Sequence, residues 1–70
     1  MERGLYRHTY RLCLAGDGNR EPQEIEFEAD EPYAALTFAK DFSSKRPGVL
    51  FEDDRKLAEI QYVNGFWEIA

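Results

Sequence analysis

The stretch that decides the fold is VLFEDDRKLAEIQYVNGFWEI, residues 49–69. Asn64-Gly65 within it is the strongest hairpin signal in the chain, because a type I′ turn needs positive φ at both central positions. A two-residue loop there pairs Val63 with Phe66, Tyr62 with Trp67 and Ile60 with Ile69. A second two-residue loop at Asp54-Arg55 would pair Phe51 with Ala58 and Val49 with Ile60. The two registers then agree, placing Val49, Phe51, Ala58, Ile60, Tyr62, Trp67 and Ile69 on one face. Three short strands are therefore expected at residues 49–53, 56–63 and 66–69.

Upstream, residues 5–15 alternate. Tyr6, His8, Tyr10, Leu12 and Leu14 share one face, and Arg7, Thr9, Arg11 and Cys13 the other. Turn formers crowd residues 16–22, and a second strand follows from Gln23 to Ala29 with Ile25, Phe27 and Ala29 inward. Inward residues are even-numbered on one strand and odd-numbered on the other, so paired residues must sum to an odd value. Leu12 then faces Ile25 or Phe27, and on the outer face Arg11 faces Glu26 or Glu28.

Asp30-Glu31-Pro32 reads as a helix start with Asp30 as N-cap. Ala35, Phe38, Ala39 and Phe42 recur at helical spacing with Leu36 on the flank, and Pro47 disfavours helix at Arg46. The order is ββαβββ in one domain, residues 1–70. A right-handed crossover gives an α+β, two-layer domain: an antiparallel sheet in the order 2-1-3-4-5 with one helix on one face. The element order also resembles a ubiquitin-like β-grasp. The tight Asn64-Gly65 turn and the Glu68-Ile69-Ala70 ending, without Gly-Gly, oppose that alternative.

Composition bounds the function. Seventy residues carry 14 acids and 9 bases, a net charge of −5. Residues 21–31 hold six of those acids and no base, but Ile25, Phe27 and Ala29 alternate with the glutamates, so this is an outer strand face rather than an acidic tail. No apolar run approaches the ~20 residues that span a bilayer. No charged-then-apolar leader follows Met1, and the single Cys fits a reducing compartment, so a cytoplasmic, membrane-free protein is expected.

Chemistry is sparse. His8 and Cys13 have opposite parity on one strand, which separates the one conceivable Cys–His nucleophilic pair. One His and one Cys fall short of the usual zinc ligand set, and neither Glu52-Asp53-Asp54 nor Asp17-Gly18-Asn19 has calcium-loop spacing. No catalytic residue, cofactor or metal is expected. Nucleic-acid binding is opposed by the net charge and by the inward parity of Tyr6 and Tyr10.

The expected outer face carries Leu50, Leu57, Val63 and Phe66, with Arg7 and Arg11 for polar specificity. Four large apolar residues on a small sheet suggest contact with a protein partner or a second copy. The expectation is a small acidic interaction module that self-associates and has no catalytic activity. The alternative uses Glu24, Glu26 and Glu28, spaced roughly 6.6–6.8 Å apart along a strand. An acidic row so spaced can imitate nucleic-acid phosphates and occupy a basic groove on a partner protein. That alternative requires Arg7 and Arg11 to sit away from the row.

Overall fold

A computed structural model describes residues 8–16 and 18–70. The chain forms β1 (His8–Leu14), β2 (Gln23–Ala29), α1 (Pro32–Ser43), β3 (Gly48–Glu52), β4 (Arg55–Val63) and β5 (Phe66–Ile69). All five strands make one antiparallel sheet in the order β2-β1-β3-β4-β5. This is the α+β topology expected from the element order, with β2 and β5 at the edges.

Alternation governs the first hairpin. Leu12 lies opposite Ile25, Tyr10 opposite Phe27, and Arg11 opposite Glu26. Tyr10, Leu12 and Leu14 are buried beneath the helix, and Arg11 and Cys13 face outward. The expected start of the first strand at residues 5–7, with Tyr6 and Arg7, lies outside the described residues.

The helix begins one residue later than expected. Glu31, extended at φ −160°, is the N-cap in place of Asp30, and makes no capping hydrogen bond through its side chain; Pro32 opens the helix. The buried stripe is Ala35, Ala39 and Ser43. Phe38 and Phe42, expected inside, stand at the rim, 40% and 37% exposed. Small alanines let the helix axis approach the sheet, which leaves no depth for phenylalanine rings. They turn toward β2, where Phe38 meets Phe27 at 4.3 Å between ring centroids and stacks on Phe42 at 5.9 Å.

Beyond the helix, Arg46 fastens the loop between β1 and β2. It is 5% exposed, and its guanidinium donates to Ala15 O from Nε and Nη2, to Glu21 O from Nη2 and to Gln23 Oε1 from Nη1. Neutral carbonyls offset the desolvation of a buried cation only when they occupy most of its five N–H groups. Four such bonds do so here.

The β3–β4 hairpin departs from the expected register. Its two-residue turn is Asp53-Asp54, both left-handed at φ 48° and 71°, closing Glu52 onto Arg55. Phe51 then pairs with Lys56, but Leu50 pairs with Ala58 and Gly48 with Ile60, so the register shifts by one residue at Leu57. An extra residue on one strand is a β-bulge, and it resets which positions face inward. Leu50, opposite Leu12 on its other side, is therefore inward and wholly buried. Val49 and Phe51, expected inside, lie outward beside Cys13 and Arg11. Leu57, expected outside, packs against the core. Gly48 shares the tight centre: a Cβ there would stand 2.8 Å from Leu14 Cδ2 and 3.1 Å from Cys13 O.

Asn64-Gly65 turns as the sequence predicts, at φ 52° and 86°, and pairs Tyr62 with Trp67 and Ile60 with Ile69. The helix packs mainly on β1, β2 and β3. On its side of the far strands, Trp67 meets Tyr62 edge-on at 5.2 Å, and Lys45 Nζ sits 4.9 Å above the Tyr62 ring.

Candidate functional site: the uncovered face of the sheet

One helix cannot cover both faces of a sheet, and in the described residues nothing layers over the outer one. Its middle is built by the register of β1, β3 and β4. Arg11 on β1 lies directly opposite Phe51 on β3, and its guanidinium carbon is 4.6 Å from the centroid of that ring. A cation on an aromatic face stabilises modestly when half-exposed. Arg11 Nε lies 3.0 Å from Glu24 Oε2, though the N–H is not aimed for a hydrogen bond, and Nη1 is 3.5 Å from Asp54. A hydrogen bond to Cys13, followed by the charges of Glu24 and Asp54, holds the guanidinium above its ordinary pKa against the opposing effect of burial.

The bulge has a second consequence on this face. Positions three apart on a regular strand point to opposite sides, but Lys56 and Glu59 meet in an ion pair across the shifted register. The Lys56 hydrogen bond and charge hold the Glu59 carboxyl below its usual range. Past them, Gln61 Nε2 donates to Glu68 Oε1 at 3.0 Å. Cys13, Val49, Glu59, Gln61 and Glu68 border a shallow trough of about 630 Å³ that is lined mainly by apolar atoms. At the β4–β5 turn, Val63 is half-buried, and Phe66 opposite it is 74% exposed.

Of the residues expected to make contact, the structure brings Val63, Phe66 and Arg11 to this face. Arg7 lies outside the described residues. Leu50 and Leu57 are removed from it: Leu50 is buried in the core, and the bulge turns Leu57 against that core. Sequence reasoning missed Phe51 and Val49, whose outward position follows from the bulge at Leu57. Glu24, Glu26 and Glu28 are exposed on edge strand β2, with Glu24 against Arg11 and Glu26 directly opposite it.

His8 and Cys13 fall on opposite faces. Cys13 borders the outer trough. His8 lies at the open end of the helix side, where its Nδ1 is 3.5 Å from Glu52 Oε2 and its ring meets Tyr10 edge-on at 6.4 Å. Tyr10 donates its hydroxyl to the same Glu52 oxygen at 3.3 Å. Burial, then the neighbouring Glu52 carboxylate, raises the Tyr10 phenol above its ordinary value.

These features define a two-layer α+β protein with one open sheet face. No family model, curated protein or solved structure matches the chain. No helix among the described residues is long and apolar enough to cross a membrane.

Proposed function

We propose that this chain is a non-catalytic, cytoplasmic interaction module that binds a protein surface, a second copy of itself first, through the outer face of its sheet. The observation that carries this reading is Phe66: a large aromatic, 74% exposed, standing on a face that no second layer among the described residues covers. Val63 beside it, Phe51 under Arg11 and the trough over Cys13 and Val49 extend the apolar ground. Contacts of this kind draw most of their free energy from a few aromatic and arginine anchors. Here those anchors are Phe66, Phe51 and Arg11. A chain of 70 residues also gains stability from association that its small core cannot supply alone.

Sedimentation velocity across micromolar concentrations tests the reading. The wild type is expected to shift toward dimer with concentration, and Phe66→Ser to stay monomeric with an unchanged circular dichroism spectrum. A wild type that remains monomeric throughout, and behaves as Phe66→Ser does, overturns self-association. No observation favours the acidic-mimic alternative, because Arg11 stands within the glutamate row rather than apart from it.

A further inference from the structure

The opposite side of the sheet holds a second constellation, independent of the outer-face reading. Three potential ligands converge at the end of β1 and β3: a His8 ring nitrogen, a Glu52 carboxylate oxygen and an Asp53 carboxylate oxygen, all within 4.8 Å of one another. The fold brings them together from two places in the chain. Tyr10 pairs with Glu52 across β1 and β3, which puts His8, two residues earlier on the same face, beside the Glu52 carboxylate. Adjacent residues of a regular strand point to opposite sides, so Asp53 would ordinarily project away. Its left-handed φ of 48°, with its N–H donating to Thr9 O, leaves the strand geometry and brings the carboxylate round to the others.

We propose that His8, Glu52 and Asp53 form a binding site for a divalent first-row cation of the zinc class, with the remaining coordination position left to water. Ligands at zinc lie about 2.0–2.2 Å from the ion, so neighbouring ligand atoms in a tetrahedron are about 3.4 Å apart. His8 Nδ1 and Glu52 Oε2 are already 3.5 Å apart. Rotation of the exposed Asp53 side chain closes the rest.

Glu52 is the anchor. Its side chain is only 13% exposed, yet among the described residues its partners are distant: Tyr10 Oη at 3.3 Å, His8 at 3.5 Å and Arg55 Nη2 at 3.9 Å. Charge-assisted hydrogen bonds ordinarily close to about 2.7–2.9 Å. A largely buried carboxylate whose partners among the described residues are loose has capacity for a cation. Arg55, 81% exposed, can swing into solvent to admit one. Tyr10 then acts as a positioning residue, since its hydroxyl donates to the Glu52 oxygen that faces His8. The imidazole nitrogen sets the class, because calcium and magnesium sites are built from oxygen ligands, whereas mixed nitrogen and carboxylate sets suit zinc and its neighbours.

Isothermal calorimetry with zinc chloride on the full chain tests the site. One equivalent is expected to saturate the wild type, and the His8 ring nitrogens are expected to shift in ¹⁵N spectra as it does. Affinity should fall at least about tenfold in His8→Gln, Glu52→Gln and Asp53→Asn. Asp53→Asn keeps the left-handed turn and so remains informative should Glu52→Gln fail to fold. Glu24→Gln, on the other face, should bind as the wild type does. Absence of saturable binding up to millimolar zinc overturns the proposal, as does full affinity in either His8→Gln or Asp53→Asn.

Discussion

The two hairpins that share β4 close with turns of the same length and the same left-handed backbone, yet they behave differently from there. At Asn64-Gly65 the register runs on without interruption to Ile60 and Ile69. At Asp53-Asp54 it survives two pairs before Leu57 interrupts it. The difference lies in the residues beyond each turn. Inward Tyr62 and Ile60 alternate with outward Val63 and Gln61, so one register satisfies both faces. In the other hairpin Leu57 and Ala58 are adjacent apolar residues on one strand, and a bulge lets both lean toward the core. A bulge in place of an even ladder thus decides which of Leu50 and Phe51 is interior, and with it what the open face presents.

Three perturbations sharpen this comparison, and the largest concerns the exchanged pair. Leu50→Ala is expected to cost about 3 kcal/mol in urea denaturation, because it opens a cavity at a wholly buried position. Phe51→Ala should cost only about 1 kcal/mol, from a half-exposed ring and its Arg11 contact. Equal losses, or a larger loss at Phe51, would return the hairpin to the unbulged register.

The turns come next. Gly65→Ala is expected to destabilise by about 1 kcal/mol, since φ 86° suits glycine alone. Asp54→Gly, at φ 71°, should instead stabilise by about 0.5 kcal/mol, the relief of strain being partly offset by the added freedom of the unfolded chain. Opposite signs at the two turns, measured by thermal unfolding, are the expected outcome.

The smallest effect reports on the bulge itself. Because Lys56 holds the Glu59 carboxyl below its usual range, the folded state favours the ionised form. The associated stability is present above the ordinary carboxyl value and is lost as pH falls through the lowered folded value. Lys56→Gln should return the Glu59 titration to the ordinary range in carboxyl NMR. An unmoved titration would mean that the two side chains do not share a face.

Much of this architecture was legible in the residues themselves. Parity along residues 8–14 and 23–29 set the first hairpin, Asn64-Gly65 set the last, and the element order determined the sheet. The middle strand was not legible, for a physical reason: Val49, Leu50 and Phe51 are consecutive apolar residues, so periodicity assigns them no face. The turn does not assign one either, because placements at Asp53-Asp54 and at Asp54-Arg55 both pair odd positions with even ones, and only a bulge exchanges the faces. Aspartate tolerates the left-handed region better than arginine, which favours the observed turn. The adjacency of Leu57 and Ala58 was the remaining clue. On the open face, Phe66, Val63 and Arg11 could be placed from sequence, whereas Phe51 and Val49 depended on the bulge. The convergence of His8 with Glu52 and Asp53 is non-local, and no spacing along the chain announces it.

Thiol reactivity under native conditions tests the position of the middle strand most directly. In a Cys13→Ser background, Phe51→Cys is expected to react with a water-soluble maleimide at least about tenfold faster than Leu50→Cys, whose thiol becomes accessible only on opening of the core. A protected thiol at position 51 with a reactive one at position 50 would contradict the arrangement of the sheet and, with it, the composition of its open face.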